Sequence, residues 1–185
     1  MYKGVIFDLD GTLVNSIEDI GNSLNRVLET RHLPLSTVKQ YTARIGQGLY
    51  QLVIDSTPEN TSKEVIDEIF EEFVKDYGKN YLIKTKPYDG INEMLEALVK
   101  EGILLGVNSN KKDAFTKEIV KTLFPKIPFT LVLGDRVDVK KKPDPTSALE
   151  IIAAMGLSHE DVVYVGDTDH DMHTAHNAQI DSIGV

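Results

Sequence analysis

The sequence contains no cysteine, which removes disulfides, thiolate catalysis and cysteine-bound zinc and points to a cytoplasmic setting. No apolar run approaches the ~20 uninterrupted residues that a membrane helix needs. Met1-Tyr2-Lys3 leads straight into an apolar stretch, without the pattern of a secretory leader. Positive charge is the scarcer sign, with 20 Lys and Arg against 29 Asp and Glu and a formal net charge of −9. That balance disfavours nucleic acid and anionic membranes as partners. It also requires that any anionic substrate be held by local cations or by a metal. The 185 residues, 41% of them hydrophobic, suffice for one packed domain or for a core carrying an insertion. The expected partner is a small molecule, and nothing in the sequence sets the oligomeric state.

The most informative stretch present is Val5-Ile6-Phe7-Asp8-Leu9-Asp10-Gly11-Thr12. Its apolar run predicts a buried strand that stops at two carboxylates separated by one residue. Alternation along an extended chain lets Asp8 and Asp10 leave the strand end in the same direction, and Gly11 permits the turn that follows. Paired carboxylates repel, so they need a cation, a shared proton or a functional load. The competing reading is an acidic surface turn.

Further along, Ile17, Ile20, Leu24, Val27 and Leu28 have helical spacing over 17–31, with Ser16 as N-cap and Glu18 and Asp19 in the first turn. Three more helices are expected over 37–44, 48–56 and 62–79, with a break at Gly46-Gln47-Gly48. From Pro87 the pattern changes to helices over 90–101, 113–124, 146–155 and up to about 178, alternating with apolar strands over 103–107, 129–133, 162–165 and 181–185. This alternation implies an α/β fold, an open parallel-sheet, Rossmann-like core over 1–14 and 86–185. The helical block over 15–85 is then an inserted all-helical cap. Ligands of such sheets sit at the carboxyl ends of the strands. There the sequence places Asp8 and Asp10, then Ser109 and Asn110, then Asp167 and Asp171.

Asp8-Leu9-Asp10-Gly11-Thr12-Leu13-Val14, Ser109-Asn110-Lys111, Lys142-Pro143 and Gly166-Asp167-Thr168-Asp169-His170-Asp171 resemble, in that order, the motifs of the haloacid-dehalogenase-like phosphohydrolases. Ile17 to Leu28 and Gly46-Gln47-Gly48-Leu49 look most like the phosphoglycolate phosphatases within that superfamily. The resemblance implies Asp8 as nucleophile, Asp10 as general acid and base, and Lys142 as the cation beside Asp8 and the transferring phosphoryl group. It implies a phosphate cradle of Gly11, Ser109, Asn110 and Lys142. It also implies Mg²⁺ held by Asp8, the backbone carbonyl of Asp10, and Asp167, supported by Asp171; an oxygen-only donor set suits that ion. Substrate choice falls to the cap, with Arg44, Gly46, Gln47 and Gly48 as candidates.

Other residues keep plainer readings. Lys140 and Lys141 read as solvated charges, and Asp169 as a surface acid. Lys111 matches the subfamily pattern equally well as a site residue or a surface charge. His170, His173 and His176 recur every three residues, a spacing that drifts around a helix and does not build a metal site. Asn108, a polar residue at the end of an apolar strand, has no explanation in the sequence.

The resulting expectation is a Mg²⁺-dependent phosphatase of a small phosphorylated metabolite, with phosphoglycolate leading. A phosphomutase, pyrophosphatase or nucleotidase of the same superfamily is the alternative. No His lies between Ser16 and Arg31, where sugar phosphomutases of this type carry one. A remoter reading is a phospho-accepting receiver module, whose acceptor would be Asp135 at the end of the third core strand.

Overall fold

The chain is described from a computed structural model covering residues 1–46 and 48–185, so the expectation placed on Gln47 lies outside the described residues. Two compact units emerge, one of Met1–Asn15 with Pro87–Val185 and one of Ser16–Lys86.

In the first unit, β1 (Gly4–Phe7) is buried along its whole length. Parallel strands flank it on both sides, which is why its sequence is continuously apolar rather than alternating. On one side lie β4 (Leu104–Lys112) and β5 (Phe129–Asp135), and on the other β6 (Val162–Gly166) and β7 (Asp181–Gly184). The five-stranded order is β5-β4-β1-β6-β7. A separate two-stranded sheet joins β2 (Val14–Asn15) and β3 (Lys86–Pro87). The register pairs Phe7 with both Val107 and Val165, so the next residues along, Asp8, Asn108 and Gly166, share one level at the carboxyl edge.

Helices cover both faces. Ile6 and Tyr164 pack with Ala148, Ile151 and Ile152 of α7 (Thr146–Met155) and Ala175 of α8 (Asp169–Asn177). Gly106 is required on that face because a Cβ there would overlap the Ile151 side chain. Val5, Phe7 and Val163 point the other way, toward Met94 and Leu98 of α5 (Ile91–Lys100). The remaining core helix, α6 (Asp113–Leu123), contributes buried Ile119 and Val120.

The strand order matters for one expectation. β5, the third core strand, is the sheet edge and is separated from β1 by β4. A receiver module places its third strand beside its first, in the order 2-1-3-4-5. Asp135 is therefore remote from the β1 carboxylates, and it is ion-paired with Lys141 at 3.0 Å. The receiver reading is excluded by topology.

The second unit is all helical: α1 (Ile17–Thr30), α2 (Val38–Thr42), α3 (Leu49–Ser56) and α4 (Lys63–Asn80). Ile20, Leu24 and Leu28 of α1 are fully buried, as are Ile69, Phe73 and Tyr77 of α4. Arg26–Asp76 and Arg31–Glu72 ion pairs at 2.5 and 2.8 Å border this packing. Asp19 does more than charge the first turn of α1. It is buried, and its carboxylate accepts the backbone N–H groups of Lys84 and Thr85 and the Thr85 hydroxyl at 2.8–3.0 Å. Asp19→Ala leaves those donors buried without a partner and is expected to destabilise this unit by about 2–3 kcal/mol. Urea unfolding followed by far-UV circular dichroism measures the loss; a change under 0.5 kcal/mol contradicts it.

Candidate active site

Four segments of the first unit bring their side chains together at the carboxyl edge of the sheet. Asp8 leaves β1 with its backbone N–H donated to the Val165 carbonyl at 2.9 Å, which fixes its start point in the sheet. Its side chain is buried, and its Oδ1 accepts from Lys142 Nζ at 2.7 Å. The same ammonium donates to Asp171 Oδ1 at 2.7 Å. Asp171 is fully buried at the start of α8, where its other oxygen accepts from the Thr168 N–H at 3.1 Å and hydroxyl at 2.6 Å. Asp167 completes the group, its Oδ1 accepting the Thr12 hydroxyl at 3.0 Å.

Oxygens of Asp8, Asp167 and Asp171 lie within 4.8 Å of one another, the sole grouping of metal-ligating side chains among the described residues. The three His residues of α8 form none, and Asp169 stays exposed outside it. The group has three carboxylates and one ammonium, which is bonded to Asp8 and Asp171 alone of the three, so negative charge is in excess. Burial pushes the Asp8 carboxyl up to about 7, against the pull of Lys142 and with the repulsion of Asp171 adding to the rise. Burial alone would discharge Lys142, yet the carboxylates around it hold it well above the usual lysine range. A divalent cation fits a cluster of this composition, since its donors are all hard oxygens and their excess charge is otherwise unbalanced.

Gly11 lets the turn after β1 approach the Asp167 side chain closely. Its φ is 93°, and a Cβ there would run into the Asp167 carboxylate. The turn is closed by the Gly11 N–H on the Val14 carbonyl at 3.0 Å. Asp10 projects from this turn to meet Lys111 Nζ at 3.0 and 2.8 Å, one contact to each carboxylate oxygen. The Lys111 side chain is completely buried, so it belongs to the site and is no surface charge. Its position directly after Ser109-Asn110 was the available signal.

Ser109 is buried within β4, its Oγ accepting the Lys111 N–H at 3.2 Å with the hydroxyl proton left to donate. Asn110, expected in the phosphate cradle, follows Ser109 in β4 and is also buried. Its side chain also contacts Lys142, with Oδ1 accepting the Lys142 N–H at 2.9 Å. The Lys142–Pro143 peptide bond is cis. Asn108 is 2% exposed; its carbonyl accepts the Tyr164 hydroxyl at 3.1 Å, while its amide nitrogen has no protein partner. That nitrogen and the equally unpartnered Nε of Arg136 belong to residues lining one small cavity, whose space for a water molecule is about 10 Å³. The polar break in β4 thus forms part of a polar floor beneath the Lys142 loop.

Of the cap candidates, Arg44, Gly46 and Gly48 belong to the helical unit. Arg44 donates to the hydroxyls of Ser36 and Ser56 at 2.9 and 3.4 Å, which ties the segments flanking α2 to the end of α3. Gly46 and Gly48 have φ of 125° and 92°, conformations that side-chain-bearing residues resist.

The family description "haloacid dehalogenase-like hydrolase" matches residues 5–185 of the chain. A phosphoglycolate phosphatase of Aquifex aeolicus is 35% identical over 178 residues, covering 94% of this chain and 80% of the relative. One from Agrobacterium fabrum is 32% identical, covering 97% and 78% respectively. The structure of a predicted phosphoglycolate phosphatase from Haemophilus somnus superposes with a TM-score of 0.90 at 29% identity, over 99% of this chain and 84% of that one.

Proposed function

Because the chain belongs to the haloacid dehalogenase-like hydrolases, we propose that it is a phosphatase of a small phosphorylated metabolite, acting through an aspartyl-phosphate on Asp8. The observation that carries this reading is Lys142 Nζ at 2.7 Å from both Asp8 and Asp171, beside the Asp167 carboxylate. A buried carboxylate held against a cation is positioned for attack on phosphorus, and the same cation meets the charge that spreads over the phosphoryl oxygens.

In the first half-reaction, Asp8 attacks phosphorus as the bond to the leaving oxygen breaks. Asp10 gives its proton to that oxygen, so the product departs as an alcohol rather than an alkoxide. In the second, Asp10 takes a proton from water, whose oxygen attacks the acyl phosphate and releases inorganic phosphate and Asp8. Ser109, the backbone N–H of Asn110, the Gly11 turn and Lys142 cradle the phosphate. Lys111 orients the Asp10 carboxylate for both proton transfers. Asp8, the Asp10 carbonyl, Asp167 and Asp171 are the groups that would hold Mg²⁺. When bound, the ion offsets the carboxylate charge and screens the substrate phosphate.

Phosphoglycolate-like esters lead the substrate class because the relatives in Aquifex aeolicus and Agrobacterium fabrum carry that name. Selection among such esters is assigned to the helical unit, acting as a cap through Arg44, Gly46, Gln47 and Gly48. The absence of cysteine agrees with a cytoplasmic location.

The test is phosphate release from a panel of phosphorylated metabolites, including phosphoglycolate, sugar phosphates, nucleotides and pyrophosphate, with Mg²⁺ present. At least one ester is expected to turn over, with chelation by EDTA lowering the rate about a hundredfold or more and added Mg²⁺ restoring it. Hydrolysis of no panel member contradicts the phosphatase reading. Full activity in EDTA contradicts the metal.

A further inference from the structure

Lys142 has the most demanding position in the site and the least regular backbone beneath it. Its ammonium spans two buried carboxylates at 2.7 Å each, yet the residue belongs to the loop between β5 and α7. A long side chain cannot hold its tip in one place unless its own Cα is held, because every backbone shift is carried to the ammonium. Some of the loop's contacts are internal or close in sequence, such as the Asp144 N–H on the Lys141 carbonyl at 2.9 Å and the Lys141–Asp135 ion pair. Asn177, near the end of α8, reaches in to the Pro143 carbonyl at 2.9 Å, from an exposed position.

The buried tether to Lys142 itself comes from Asn110. Its amide oxygen accepts the Lys142 N–H at 2.9 Å, and its amide nitrogen donates to the Lys142 carbonyl at 3.4 Å. One planar group thus engages both backbone polar atoms of a single residue, across 32 positions of sequence. Asn110 is carried by β4, which is paired to β1, so the grip connects the Lys142 backbone to the sheet that also sets Asp8. Asparagine suits the place because it supplies an acceptor and a donor side by side without charge. A carboxylate would lack the donor, and a hydroxyl could not reach both atoms.

We propose that the Asn110 side chain is a positioning residue that fixes the Lys142 ammonium between Asp8 and Asp171 by gripping the Lys142 backbone. The role rests on the phosphatase reading above and adds to it. It gives the Asn110 side chain a task separate from the phosphate contact assigned to its backbone N–H. A displacement of about 1 Å in such a group costs roughly a hundredfold in rate, so the grip is worth a large share of what Lys142 contributes.

A double-mutant cycle tests this with p-nitrophenyl phosphate and Mg²⁺, comparing Asn110→Ala, Lys142→Ala and the double variant, at enzyme concentrations that resolve single turnovers. Asn110→Ala is expected to lower kcat by about 10- to 100-fold, with KM changing by less than about threefold. Asn110→Asp keeps the acceptor of the stronger bond and is expected to lose less. In the Lys142→Ala background, neither Asn110 substitution should cost anything further, because the group being positioned is gone. Asn110→Ala within twofold of the wild type overturns the proposal, and so does a loss that recurs in full without Lys142. If Asn110→Ala does not fold, Asn110→Asp in the same cycle decides. Lys142→Ala turning over like the wild type instead overturns the role given to Lys142 in the phosphatase reading.

Discussion

Asp8→Asn is expected to abolish phosphate release, lowering turnover by about a thousandfold or more, because an amide neither attacks phosphorus nor forms the acyl phosphate. The substitution preserves shape, so the loss comes from chemistry and not from packing. Stability should move the other way or not at all. Burial already pushes the Asp8 carboxyl up to about 7, which means that the ionised form is held at a cost in the absence of a metal. A neutral amide escapes that cost, while Lys142 keeps its bond to Asp171 at 2.7 Å. Phosphate release and urea unfolding measured together should therefore show a dead enzyme with an unchanged or slightly raised midpoint. Turnover within tenfold of the wild type would remove Asp8 as the nucleophile.

Lys142→Met should strike both activity and stability. Methionine fills the space of the aliphatic stem but leaves Asp8 and Asp171 buried without the ammonium that they share. Breaking a buried pair in this way costs about 3–5 kcal/mol. The penalty should depend on pH with a definite sign. Without the lysine, burial and the repulsion of Asp171 hold the folded-state Asp8 carboxyl further above its unfolded value. Stability is then greatest at low pH, where Asp8 is protonated in both states, and falls as pH rises through its raised folded value. The unfolding midpoint of the variant should drop between pH 5 and pH 8 more steeply than that of the wild type, with turnover reduced at every pH. A pH-independent deficit would show that lost packing, not unpaired charge, is responsible.

Much of this architecture was legible because its signals are local. The helix expected over 146–155 is α7 to the residue, and the others differ only at their ends. β1 and β6 announced themselves as short apolar runs because parallel strands are covered on both faces. β4 is the informative exception. It was expected to stop at Val107 but runs on to Lys112, which pairs with Asp135 of β5 after a shift in register beyond Asn108. Residues Asn108 to Lys111 look unlike a strand because they are polar, yet all of them are buried. Partners far away in the chain account for much of that burial: Tyr164 for the Asn108 carbonyl, Lys142 for the Asn110 amide and Asp10 for Lys111. No local pattern registers such satisfaction. Asp19 lies in the first turn of α1 as expected, a position that explains its sign but not the Lys84 and Thr85 donors that bury it.

By itself the sequence determined the inventory and its order: acids after the first strand, a serine and an asparagine after the next, a lysine in a loop, and two more acids at the start of the last helix. Those are consequences of composition and periodicity, which short windows record. Only the tertiary structure decided which group serves which. Lys142 reaches Asp8 across 134 positions, and Lys111 reaches Asp10 across 101. The order β5-β4-β1-β6-β7 set Asp135 apart from them. Such pairings follow from strand order and register, which are fixed by packing the whole sheet at once and leave no trace in any short stretch of chain.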